Sequence, residues 1–319
     1  MSRSHEFVKA EQRSPEWFAL RKGGITATDA TVIAGLSPYK TPYQLWAEKL
    51  GKVEPSKAGA AAQRGIILED AVATFYELET GRKLKRSNGI VRWKGAPWVM
   101  ASLDRTVVGE PGLVEIKTSA SPRWSMYPVP PEVNAQVQWQ MMIMEAPWCD
   151  VAVLLGGLVF RIERVKADIK FQAELHAKAT DFRRMLEEGT PPPLSGADSQ
   201  ALALVTPQES EEWAQADAGM ERVAALYSER LYELKVLEQE VDNLAVNIKE
   251  AVGAKQGIVG RGWQATWRQN KASVKTDWRA VAEVLQGVAP DTYATAVKGA
   301  SSENLGARVF KFKQEGIGE

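Results

Sequence analysis

Asp104, Glu115 and Lys117 are the residues from which chemistry could start. Glu115 and Lys117 lie two apart in Leu113-Val114-Glu115-Ile116-Lys117-Thr118, a run rich in strand formers. On a strand they share one face, with Val114, Ile116 and Thr118 on the other. Asp104 closes the apolar run Trp98-Val99-Met100-Ala101, and Gly109, Pro111 and Gly112 separate the two stretches as a hairpin connection would. If Asp104 projects into the same cleft, two carboxylates and an ammonium converge. That set suits a hard divalent cation such as Mg2+, held by carboxylate oxygens beside a phosphate. A surface hairpin with a cross-strand ion pair fits the same three residues, so the flanking elements must decide.

The bulk numbers narrow the chemistry. The chain has 319 residues, room for two domains or one large one, with 45% hydrophobic and 25% charged residues as in an ordinary soluble globular protein. Formal net charge is zero, so any anion site must be a local patch. The single cysteine, Cys149, excludes an intrachain disulfide and reads as a buried small hydrophobe. Two histidines, His5 and His176, far apart in sequence, give little support to a zinc site or a histidine-centred triad. No apolar run reaches the length of a membrane span and no signal-peptide core is visible, so a cytoplasmic location is expected.

The elements that must position the trio follow in order. Ser14-Pro15-Glu16 opens a helix that ends at Gly23-Gly24, with Arg21 in its last turn. Thr26-Ala27-Thr28-Asp29 starts a second short helix. Its hydroxyls beside Arg21 make either a phosphate cradle or a plain capping box. Thr41-Pro42 opens a third helix. Residues 60–80 read as one long helix with an apolar stripe of Ile66, Ile67, Ala71, Phe75 and Leu78, and with Glu69 among aliphatic neighbours where a carboxylate needs a partner. From Arg82 to Leu103 there is no acid, but there are Arg82, Lys83, Lys85, Arg86, Arg92 and Lys94; this is either a DNA-backbone surface or a solvated strand face. A helix over about 131–146 places Gln136 and Gln140 on one face. A strand at Asp150–Leu155, a Gly156-Gly157 turn, a partner strand and a helix over about 167–188 complete an α/β layer with a mixed sheet.

Gly189-Thr190-Pro191-Pro192-Pro193 reads as a boundary, giving a core at 1–190, a linker at 191–206 and an accessory module at 207–319. The module begins with a long charged helical segment over 207–252, apolar at steps of three and four, which reads as a helix or helical hairpin packed along one seam. Residues 255–279 carry six Lys/Arg against one Asp with three tryptophans between them, either a second nucleic-acid surface or a small β-domain with tryptophan core anchors. Ala307–Lys313 alternates as a last strand would.

With these motifs in place, residues 12–188 resemble the YqaJ-like viral recombinase family, to which phage lambda exonuclease belongs. The resemblance rests on an ordered set: Trp17…Leu20-Arg21…Gly24-Ile25-Thr26-Ala27-Thr28, Gly65…Glu69, Ser102-Leu103-Asp104, Leu113-Val114-Glu115-Ile116-Lys117 and Ala135-Gln136-Val137-Gln138. It implies a restriction-endonuclease-like α/β core, a central mixed sheet flanked by helices, with a PD-(D/E)xK motif in which Leu103 replaces the proline. By this resemblance Asp104 and Glu115, helped by the Ile116 carbonyl and Glu69, would bind Mg2+, with Mn2+ as a substitute. Lys117 would orient or deprotonate the attacking water, Gln136 would position that lysine or the water, and Arg21 and Thr28 would hold a 5′-phosphate. The implied activity is 5′→3′ degradation of one strand of linear double-stranded DNA, leaving a 3′ single strand for an annealing protein. A homotrimer and a phage or prophage origin in a bacterial host are further implications. An endonuclease of the same core and a non-catalytic DNA-binding scaffold are the competing readings.

Overall fold

In the computed structural model, residues 4–12, 14–55, 59–206, 212–269 and 276–301 are described. The chain divides into two units, Met1–Gln208 and Glu209–Glu319.

The first unit opens with β1 (His5–Lys9), α1 (Pro15–Lys22), α2 (Ala27–Ile33), α3 (Pro42–Lys49) and α4 (Ala60–Thr80). Short strands β2 (Leu84–Arg86), β3 (Gly89–Trp93), β4 (Met100–Ala101) and β5 (Arg105–Val107) lead to β6 (Gly112–Ser119). After α5 (Arg123–Met126) and α6 (Pro131–Met144) come β7 (Trp148–Leu155), β8 (Val159–Lys166), α7 (Ile169–Glu188) and α8 (Ser199–Val205). The central sheet has the order β2-β5-β6-β7-β8. β6 and β7 run parallel and the other neighbours antiparallel, so α6 is the crossover helix that a parallel pair requires. The central sheet, with α4 and α6 packed on its opposite faces, is the mixed α/β core expected from the sequence. A separate sheet, β1-β3-β4, lies beside it.

Side-chain alternation on β6 and β7 divides the core into two layers. Leu113, Cys149, Val151 and Val153 join α6, α7, α2 and α3 in the main cluster. Val114, Ile116, Ala152 and Leu154 meet Val72, Ala73 and Tyr76 of α4 on the opposite face. Glu115 and Lys117 have the parity of Leu113 and therefore look toward α6. Trp139, fully buried, donates from its indole N–H to the Met100 carbonyl at 3.0 Å and ties the two sheets through α6. His176 stacks on Trp98 and Trp139 and faces Trp93, and burial lowers its pKa, as befits a neutral packing group.

Four readings of the sequence change. The run Trp98–Ala101 is not the hairpin partner of β6: β4 pairs with β3, and the partner is β5, which begins just after Asp104. The stripe read on α4 is not its buried face, since Ile67 and Leu78 are 77% and 76% exposed, while Val72, Ala73 and Tyr76 are buried. The basic run is largely neutralised: Arg82 pairs with Glu110, Lys83 with Glu77, Arg86 with Asp70 and Arg92 with Glu6. Residues 191–206 are not a free linker. Ala201 is in the main core, Asp198 accepts from the Thr41 hydroxyl at the head of α3, and Gln44 donates to the Ala197 carbonyl at 3.0 Å.

The boundary of the first unit therefore follows α8. A chain ending at Gln208 is expected to unfold in urea with the stability of the intact first unit. One ending at Pro193 is expected to lose about 1–3 kcal/mol, for a buried alanine and the bonds to α3. Equal urea midpoints for the two truncations would show that α8 adds nothing.

The second unit holds α9 (Ala218–Val252), a hairpin of β9 (Gly257–Gly260) and β10 (Trp263–Thr266), α10 (Trp278–Val288) and α11 (Pro290–Ala300). The long helical segment is one continuous helix, and its stretch 212–217 is non-helical. Trp263, Trp267 and Trp278 are 51%, 54% and 74% exposed, so they are not core anchors. The strand expected at Ala307–Lys313 lies outside the described residues, as do Lys271 and Lys275 of the basic stretch. Among the described residues, no helix is long and apolar enough to cross a membrane.

Candidate active site

One cleft of about 800 Å³ in the first unit is lined by every residue singled out from the sequence: Arg21, Thr28, Glu69, Asp104, Glu115, Ile116, Lys117 and Gln136. Four elements converge there. β6 supplies Glu115, Ile116 and Lys117, the turn before β5 supplies Asp104, α6 supplies Gln136, and α4 forms a wall with Glu69.

The centre is a bonded set. Lys117 Nζ donates to Glu115 Oε1 at 2.6 Å and to Gln136 Oε1 at 3.0 Å. Gln136 Nε2 also donates to Glu115 Oε1 at 2.6 Å. Asp104 Oδ2 accepts from the Ile116 backbone N–H at 2.8 Å, which fixes it beside Glu115. Glu115 is buried, with 3% of its side chain exposed, while Lys117 keeps 27% open to the cleft.

A buried and a half-buried carboxylate side by side are costly when both are charged. Burial, and then the Glu115 charge, push the Asp104 carboxyl up to about 8, against the pull of Lys117 and the Ile116 N–H. At Lys117 burial works against the ammonium, but Glu115 and Asp104 outweigh it, and its pKa is raised. A dication bound between Asp104 and Glu115 would relieve that repulsion. All-oxygen donors with one or two carboxylates, the rest left to water and substrate phosphate, are the usual Mg2+ environment. The residues present fit that ion.

Glu69 is placed differently from the expectation. It lines the cleft, but its Oε1 is held by Arg105 at 2.6 Å. Among the described residues, no group of three His, Cys, Asp or Glu side chains gathers as a metal cage. Arg105, buried at 4% exposure, also donates to the Asp104 carbonyl at 2.8 Å, so it joins α4 to the Asp104 backbone. Sequence reasoning passed over this arginine. The available signal was the pair Glu69-Asp70 on a packed helix, which needs a cation. Gln140 was noted only for its face: it is buried and donates to Glu115 Oε2 at 2.8 Å and the Ser102 carbonyl at 3.2 Å. Gln136 and Gln140 thus clamp the two oxygens of Glu115 from successive turns of α6.

At the other end of the cleft, Arg21 stacks over Trp17, 4.3 Å from the ring centroid, and reaches the hydroxyls of Ser102 and Thr26 at 3.4 Å each. Burial lowers its pKa, and Asp29 opposes this. Thr26 and Asp29 do form a capping box. That consumes Thr26 as the cap and leaves exposed Thr28, one turn position on, facing the cleft.

The family model described as the YqaJ-like viral recombinase domain matches residues 16–147. Over that span the chain is similar to this domain. The match spans α1 to the end of α6 and so contains every cleft residue named above. The chain is 29% identical over 272 residues to the uncharacterized protein YqaJ of Bacillus subtilis (strain 168), covering 81% of this chain and 84% of that one. Among solved structures, it is similar to an alkaline exonuclease from Laribacter hongkongensis, with 26% identity and a TM-score of 0.48 over 56% of this chain and 94% of that one. It is also similar to a phage-related exonuclease from Haemophilus somnus 129PT, with 11% identity and a TM-score of 0.39 over 57% and 95%.

Proposed function

We propose that the YqaJ-like domain is a Mg2+-dependent 5′→3′ exonuclease that degrades one strand of linear double-stranded DNA and leaves a 3′ single strand for annealing. The observation that carries this reading is the convergence, in one cleft, of Asp104, Glu115 and Lys117 at one end with Arg21 and Thr28 at the other. An internal cutter has no use for an end-binding pocket.

Mg2+ held by Asp104, Glu115 and the Ile116 carbonyl would supply charge neutralisation at the scissile phosphate and an acidified water. The protein's own groups do the rest. Lys117, kept protonated by the two carboxylates, donates to a phosphoryl oxygen and orients the water rather than deprotonating it. Gln136 holds the ammonium in place. Gln140 fixes Glu115, and Glu69 contributes through Arg105, which sets the Asp104 backbone. Arg21, Ser102 and Thr28 receive the terminal 5′-phosphate. A homotrimer around the duplex and a single-strand annealing protein as partner belong to the same reading, as do Mn2+ substitution and a cytoplasmic location.

The test is incubation of 5′-phosphorylated linear duplex, 5′-hydroxyl linear duplex and closed circular duplex with Mg2+ or with EDTA. The expected outcome is stepwise loss of one strand from linear DNA only, abolished by EDTA. Cutting of the closed circle would make the protein an endonuclease, and binding without cleavage would make it a scaffold.

Arg21→Ala is expected to slow digestion of 5′-phosphorylated ends more than of 5′-hydroxyl ends. A charged hydrogen bond to phosphate contributes about 1.5–3 kcal/mol, roughly 10- to 150-fold in rate. An equal loss on both kinds of end would give Arg21 a purely structural role.

A further inference from the structure

α9 is a 35-residue helix with a single buried residue, Val252. A helix of this length owes its stability mainly to packing of an apolar face. Most of its large apolar residues fall on a heptad, with Leu226, Leu231, Val236 and Val246 outside it. The first core position of each heptad is Met220, Tyr227, Leu234, Val241 and Ile248. The second is Val223, Arg230, Leu237, Leu244 and Ala251. Met220, Val223, Leu234, Leu237, Val241, Leu244 and Ile248 are between 41% and 62% exposed. Nine apolar residues in ten positions make a coiled-coil seam, and the composition of that seam selects its partner.

We propose that α9 pairs with α9 of a second copy of this chain as an antiparallel two-stranded coil centred between Lys235 and Val236. In that register each first core position faces a second core position of the other copy. Met220 faces Ala251, Val223 faces Ile248, Tyr227 faces Leu244 and Leu234 faces Leu237. Arg230, the one polar core residue, is ion-paired in-chain with Glu233. Here it faces Val241 and lies beside Glu240 of the second copy, so that two carboxylates bracket it. A parallel pair would instead stack Arg230 on Arg230 in a core layer and set Glu233 against Glu238, two repulsive contacts. The self-complementary register and the single bracketed arginine favour a second copy over an unrelated helix. The inference is independent of the nuclease reading.

The experiment uses the full chain. Val223→Cys and Ile248→Cys variants are oxidised separately and as a mixture; native Cys149 is buried and does not compete. The two positions are about 37 Å apart along the helix, so only antiparallel pairing brings them together between copies. A covalent dimer in the mixture and none in either variant alone is expected. No cross-link in the mixture, or one in each variant alone, overturns the proposal. In parallel, a Leu234→Glu plus Leu237→Glu double variant is expected to halve the sedimenting mass while DNA cleavage per chain and helical circular dichroism persist. Unchanged mass would mean that the seam is covered within one chain, for instance by α10, and would also overturn it. If the double variant fails to fold, the cross-link decides.

Discussion

Lys117→Ala and Glu115→Gln are each expected to reduce Mg2+-dependent DNA cleavage by several orders of magnitude and to leave the fold in place. In the proposed mechanism Lys117 is the cation at the reacting phosphate, held there by Glu115 and Gln136. Glu115→Gln keeps the shape but removes the negative charge that holds the ammonium and, in the proposed mechanism, would hold the metal. Because these groups act as a unit, the double variant is expected to be hardly worse than either single one. The measurement is single-turnover cleavage of end-labelled linear duplex, with thermal unfolding as the control. Glu115 accepts from three side-chain donors, so Glu115→Ala would strand Gln140 inside the core and unpin Gln136 at the cleft wall; Glu115→Gln is the cleaner probe. A Lys117→Ala enzyme that cuts at a near-parental rate would remove this lysine from the chemistry.

Asp104→Asn is expected to abolish cleavage and, at high pH in EDTA, to make the protein more stable. The folded-state pKa of Asp104 is raised from 3.8 to about 8, chiefly by burial and then by Glu115. Between those values the folded state binds more protons than the unfolded chain, so stability falls as pH rises through that window. The penalty is fully developed above about pH 8 and is on the order of a few kcal/mol. Asparagine carries no charge and can still accept from the Ile116 N–H, so it escapes the penalty. Urea unfolding at pH 5 and pH 9 measures the effect: the advantage of the variant is expected at pH 9 and a smaller gap at pH 5. Added Mg2+ is expected to stabilise the parent and not the variant, since binding the folded state alone shifts unfolding. A parent protein that is the more stable of the two at pH 9 in EDTA would contradict the repulsion between Asp104 and Glu115.

The parts of the fold that were legible in the sequence are those set by local pattern. Alternation put Glu115 and Lys117 on one face of β6 and Val114 and Ile116 on the other, and helix spacing put Gln136 and Gln140 together on α6. What failed to show depends on partners remote in sequence. The run at Met100–Ala101 is a good strand, but whether it joins β3 or β6 is a matter of pairing. The basic run looked open because Glu6, Asp70, Glu77 and Glu110, which neutralise it, come from four other places. α4 misled because so few of its residues are buried that the apolar pattern points elsewhere. Arg105 was invisible because an arginine next to a candidate ligand reads as a surface charge until its acids are in place.

That sparse burial of α4 has a mechanical side. Of its 21 residues, Val72, Ala73 and Tyr76 alone are buried. The helix is fastened to the sheet by polar rivets, among them Glu69 on Arg105, Glu77 accepting from the Leu84 N–H at 2.7 Å and the Tyr76 hydroxyl on Asp150 at 2.8 Å. The first rivet is shared, because the same guanidinium nitrogen grips both Glu69 and the carbonyl of Asp104. Residues Ala61, Ala62, Gly65 and Ile66, which line the cleft, all lie on the free side of that rivet. In the proposed reading, a strand of DNA pressing on them would work on a lever whose fulcrum is Arg105 and whose short arm is the backbone that carries Asp104.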